Sequence, residues 1–178
     1  MSYVPSHDGG LLAQPESLVF IPMTQSTTQA PVIDTAINLD SAQTQFGSWS
    51  VSISSDVITL PSGYFYLIES SAQAHYTGSG TTSDYYEHQI YDETNSNYVG
   101  TIARIQRSLG EDTQLESRDE KARYYVNCTS GSINISIKTK AFTYNSATAT
   151  GFDRINYTDS SWTNNTGSGR VIIWRLNP

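Results

Sequence analysis

The sequence predicts an all-β fold, two packed sheets in a sandwich or jelly roll, on three observations. Apolar and polar residues alternate with period two almost continuously from Trp49 to Leu176. Clusters of Gly, Pro, Asn and Ser separate the alternating runs, and no repeat period links them. Ser and Thr together number 45 and twelve residues are Tyr, a mixture suited to short strands and polar turns rather than to long helices. The 178 residues suffice for one domain whose core needs no staples.

Residues 1–16 read as an N-terminal arm punctuated by Pro5, Gly9, Gly10 and Pro15, and residues 17–178 as the folded domain. A short first strand occupies 17–21 and is closed by Pro22. Residues 24–45, rich in Gln, Thr, Ser and Ala, read as connection with one short strand near 32–39. Two short runs follow at 51–54 and 57–60. Pro61-Ser62-Gly63 then turns the chain into the longest strand. There Tyr64, Tyr66, Ile68, Ala72, Ala74 and Tyr76 share one face. On the other face Phe65 and Leu67 give way to Glu69, Ser71, Gln73 and His75, the pattern of a strand that starts buried on both sides and ends half exposed.

Residues 85–92 and 98–105 form a hairpin about Asn95-Ser96-Asn97. Residues 104–123 hold ten charged side chains and read as a solvated loop or a short helical turn. Ala122, Tyr124, Val126 and Cys128 face inward on the next strand. Ile133, Ile135 and Ile137, set against Asn134, Ser136, Lys138 and Lys140, make the cleanest half-buried strand. Residues 145–169 read as loop, and 170–176, apolar on both faces, as a strand central in its sheet. The total is eight to ten strands.

The net charge of −7 is unevenly placed: no Lys or Arg precedes Arg104, while residues 104–178 carry ten basic and seven acidic side chains, a net +3. An acidic chain without a basic stripe is a poor nucleic-acid binder. The asymmetry either draws subunits together or disappears once the strands interleave. A single cysteine excludes an intrachain disulfide framework, and no apolar run is long enough to cross a bilayer. The N-terminus lacks the basic-then-apolar order of a secretory signal, so synthesis and folding in a reducing cytoplasm are expected, with final residence in a virion compatible with that.

The segment Val57-Ile-Thr-Leu-Pro-Ser-Gly-Tyr-Phe-Tyr-Leu-Ile68 resembles the one in tumour necrosis factor-like and complement globular-head-like domains where a Pro/Gly turn opens a Tyr-rich central strand. Tyr91-Asp-Glu-Thr-Asn95 followed by Tyr98-Val-Gly-Thr101 is similar to a segment of bacteriophage versions of that jelly roll. Val171-Ile-Ile-Trp-Arg-Leu176 resembles their closing strand, which inserts beside the first. The resemblance spans roughly 48–176. It implies a ten-stranded two-sheet jelly roll, a tight homotrimer, and a place in phage fibres, knobs or capsid decoration. The absence of a heptad or Gly-X-Y stalk favours a small knob over a complete fibre.

Common catalytic signatures are missing: there is no HExxH, paired CxxC, P-loop or GxSxG. The three histidines, His7, His75 and His88, are scattered and read as polar-face residues, not as a metal cluster. The acidic pairs Asp92-Glu93 and Glu111-Asp112 are adjacent in sequence, and adjacent residues on a strand point opposite ways. The run from Asp92 to Asn97 lacks the order of a calcium loop and reads as a hairpin turn. Asn127, Asn134, Asn156 and Asn164 match the glycosylation pattern, which a Ser/Thr-rich chain produces by chance. No catalytic residue, cofactor or metal is expected.

Two sets of residues remain as candidates. Tyr157, Asp159, Trp162, Asn164 and Asn165 combine aromatic faces with hydrogen-bonding groups on a polar loop, the mixture that glycan or protein recognition needs. The alternative for Trp162 is that it folds back to cap the sandwich. Tyr64, Tyr66, Tyr124 and Trp174 supply more large aromatics than one small core needs, and the expectation is that they line a trimer interface. The function expected is a non-enzymatic virion structural protein that contributes to host attachment and engages other virion proteins through its arm. A free carbohydrate-binding module and a polysaccharide-degrading enzyme are the alternatives.

Overall fold

The computed structural model describes residues 15–23, 29–47, 49–77, 84–106, 114–116, 121–145, 147, 150–155 and 169–177. Fourteen strands and no helix are present among them. Ten form two five-stranded antiparallel sheets, as the alternation predicts. The first sheet runs in the order β10 (Ala122–Asn127), β5 (Phe65–Ser71), β14 (Arg170–Leu176), β1 (Pro15–Pro22) and β2 (Gln43–Phe46). The second runs β3 (Ser52–Ser54), β4 (Val57–Leu60), β11 (Ile133–Phe142), β7 (Tyr85–Asp92) and β8 (Asn97–Gln106).

The core lies between these sheets. Val19, Ile21, Tyr66, Ile68, Val171 and Ile173 enter it from the first sheet, and Ile58, Leu60, Ile90, Ile135 and Ile137 from the second, all without exposed surface. Burying each such side chain contributes roughly 1.5–3 kcal/mol, the main term holding the sheets together. The closing strand β14 sits between β5 and the first strand β1, central as its apolar run predicts.

Turn chemistry sets the registers. Ser55 and Asp56 both take positive φ in the tight turn joining β3 to β4. Asp92 accepts hydrogen bonds from the Asn95 backbone (2.9 Å) and side chain (2.8 Å), so the acidic run 92–97 is indeed a hairpin turn. Gly63, at φ +98°, donates its N–H to the Cys128 carbonyl and ties the Pro-Ser-Gly turn to the end of β10.

Several expectations need correcting, the total of eight to ten strands among them. The long strand divides at Ala72, and its second half, β6 (Gln73–Thr77), joins a separate four-stranded sheet with β9 (Gln114–Glu116), β12 (Tyr144–Asn145) and β13 (Thr150–Ile155). Parity survives the break, since Tyr66, Ile68, Ser70, Ala72, Ala74 and Tyr76 are all buried. Both stretches read as loop therefore contain strands: β9 lies within 104–123 and β13 within 145–169. Backbone pairing to β6 holds them, a signal that leaves no apolar alternation in the sequence. Strand β2 was hidden for a related reason, as an edge strand exposed along its whole length. Residues 32–39 form only isolated bridges, Ala36 to Lys138 and Leu39 to Met23. The proposed arm lies outside the described residues except for Pro15 and Glu16, which already belong to β1.

Candidate functional site

The outward face of the first sheet is the feature that its own fold leaves unexplained. Registers place Tyr125, Leu67, Trp174, Leu18 and Phe46 side by side, one from each of the five strands. Phe65 and Leu176 pair in the next outward row on one side, and Ile172 and Phe20 in the row on the other. Phe65 and Tyr125 stack with ring centroids 5.8 Å apart. Tyr125 is 54% exposed and Phe46 42% exposed. A sheet whose second face meets water ordinarily alternates apolar with polar residues; the middle of this one is apolar on both faces.

The face ends in charge. Glu69 pairs with Arg123 in register and bonds Lys121 Nζ at 2.9 Å and Arg123 Nε at 2.7 Å. Burial pushes the Glu69 carboxyl up, but the two cations outweigh it and hold the group below its ordinary value. Arg170 occupies the next outward row. The sheet face is thus an apolar field with a basic border.

Of the four aromatics expected at an interface, only Trp174 lies on this face. Tyr66 is fully buried inside the sandwich and donates its hydroxyl to the Pro61 carbonyl at 2.9 Å. Tyr64 and Tyr124 are half-buried and pack against the core. Tyr64 instead helps close one end of the sandwich, where the Arg175 guanidinium lies 4.3 Å from its ring centroid and 5.3 Å from that of Trp49. The residues that do lie on the outward face sit one position away: Phe65, Leu67 and Tyr125 alternate with the inward residues on the same strands.

Tyr157, Asp159, Trp162, Asn164 and Asn165, expected from the sequence to recognise a glycan or protein, lie outside the described residues. The strand that precedes them in sequence, β13, ends at Ile155 beside Ala74 of β6. Glu116 of β9 pairs with Gln73 at the same end of that small sheet. The ends of β13 and β9 therefore flank the start of β6, one on each side.

No group of three or more His, Cys, Asp or Glu side chains that could hold a metal occurs among the described residues. His75 is half-buried on β6. His88 departs from expectation: it is not a polar-face residue but points into the core with no exposed surface. On the outward side of the second sheet, Lys138 and Lys140 sit 3.5 and 3.7 Å from the ring centroids of Tyr91 and Tyr98. Glu93 bonds Ser136 and Lys138, so this polar face is internally satisfied. A cavity of about 390 Å³ between 39–42 and 50–56 is bordered by Asp40 and Asp56, and Asp56 is engaged by the Leu39 N–H.

No family model and no curated protein matches the chain. Among solved structures, the Eiger tumour necrosis factor of S. frugiperda superposes with a TM-score of 0.52, covering 92% of this chain and 94% of that one. The fold is a tumour necrosis factor-like jelly roll. At 4% identity the likeness concerns backbone arrangement and carries no residue-level role. In this jelly roll the apolar sheet face is built by strands β10, β5, β14, β1 and β2.

Proposed function

We propose that the chain is a non-enzymatic virion structural protein, a phage knob, fibre head or capsid-decoration module, that works as a homotrimer joined through the Trp174 face. The observation that supports it is the apolar row Tyr125–Leu67–Trp174–Leu18–Phe46 on a face the sandwich itself does not cover. Association with further copies removes such a face from water at about 25 cal/mol per Å². Its aromatic content matches the residues that dominate interface energies. Assignment to a phage particle rests on the sequence resemblance of 57–68 and 91–101. The trimer interface then draws on Trp174 with Phe65, Leu67 and Tyr125, rather than on Tyr64, Tyr66 and Tyr124. The N-terminal arm engages other virion proteins, and the loops contribute to host attachment.

Light scattering on the native chain at micromolar concentration is expected to give three times the chain mass. Trp174→Asp is expected to give a monomer with an unchanged β-type circular dichroism spectrum, since the side chain points away from the core. A native monomer, or a Trp174→Asp trimer, overturns the assembly. Immunogold labelling of particles tests the virion assignment; particles without label overturn that part alone.

A further inference from the structure

His88 on β7 and Ser70 on β5 meet across the interior, one from each main sheet, and neither has exposed surface. His88 Nε2 lies 3.2 Å from the Ser70 carbonyl oxygen, so in the neutral ring Nε2 carries the proton and donates it there. His88 Nδ1 and Ser70 Oγ are both buried without a hydrogen-bond partner among the described residues. On the flanking strands His88 is paired in register with Thr139 and Ala103, and Ser70 with Ala122 and Val171. Tyr86, with its ring 6.3 Å away, is the titratable neighbour, and burial keeps its phenol protonated. The acids of the same strand are committed elsewhere, Glu87 to Arg104 and Asp92 to the Asn95 turn. No carboxylate among the described residues is paired with the ring.

We propose that His88 makes the joint between the two sheets proton-sensitive, so that acid loosens the sandwich from within. A second proton would sit on Nδ1, which has no acceptor, and the charge would stand in an apolar interior without a counter-ion. The ring therefore resists protonation while the chain is folded. Burial lowers its pKa from 6.5 to about 4, against the Ser70 carbonyl, which raises it. The unfolded chain takes up the proton near 6.5 and the folded chain only near 4. Stability is thus lost as pH falls through that window, and the loss is complete below it. Carboxylates held low in the fold, such as Glu69 and Glu93, lose their contribution mainly at lower pH.

The test is equilibrium unfolding in urea at pH 7 and pH 5, at one protein concentration, on the native chain and on His88→Gln. The unfolding constant of the native chain is expected to rise about twentyfold between the two. His88→Gln, which keeps a donor for the Ser70 carbonyl but does not titrate, is expected to change by less than about threefold. Equal pH dependence in both chains overturns the proposal. Nuclear magnetic resonance titration of the native His88 ring gives a second measurement that needs no variant. Constant shifts down to pH 5 support the proton-sensitive joint, and a midpoint near 6.5 overturns it.

Discussion

Cys128 has no exposed surface, and its backbone is held on both sides, its N–H by the Tyr64 carbonyl and its carbonyl by the Gly63 N–H. Burial, assisted by the Asp92 carboxylate, pushes its thiol up to about 11. Since the thiolate is the reacting species, an aromatic disulfide reagent at pH 8 is expected to modify the native chain at least about a hundredfold more slowly than the urea-unfolded one. Comparable rates would show that the end of β10 opens freely. The sequence anticipated this residue, because Cys128 shares its face with Ala122 and Val126. It did not anticipate His88. Neighbours on a strand cannot reveal that a polar side chain at an inward position meets a serine on the opposite sheet.

Between elements, the two main sheets are joined along one edge by a feature of two residues. Thr101 on β8 donates its hydroxyl to the Lys121 carbonyl at 3.1 Å and accepts the Arg123 N–H at 2.9 Å, so it partly satisfies the free edge of β10. Gly100 beside it takes φ +70°, and a Cβ there would collide with the Arg123 carbonyl oxygen. Gly100→Ala combines a left-handed backbone with a backbone clash and is expected to cost about 3 kcal/mol. A urea midpoint within experimental error of native would mean that this edge does not close the sandwich. Gly100 looked unremarkable as part of a hairpin strand; the close approach of a second sheet gives it its role. The break at Ala72 is similar, since pairing with β13 and β9 redirects a strand whose alternation is continuous.

For the whole molecule, the proposed trimer and the proposed attachment loops make separate demands on Trp162 and Trp174. Three copies of a weak binding loop gain avidity when one particle surface presents them together. Trp162→Ala is expected to reduce particle adsorption to host cells while the light-scattering mass stays trimeric. Unchanged adsorption with a weakened trimer would assign Trp162 to packing instead. By itself the sequence determined the all-β class, the hairpin 85–105, the inward faces of β5, β10 and β11, and the central place of β14. These follow from period-two alternation and turn chemistry, which are local. Tertiary structure decided the third sheet, the burial of His88 and which aromatics face outward. Each depends on what lies opposite a residue across a sheet or between sheets, and residues far apart in the chain supply that neighbour.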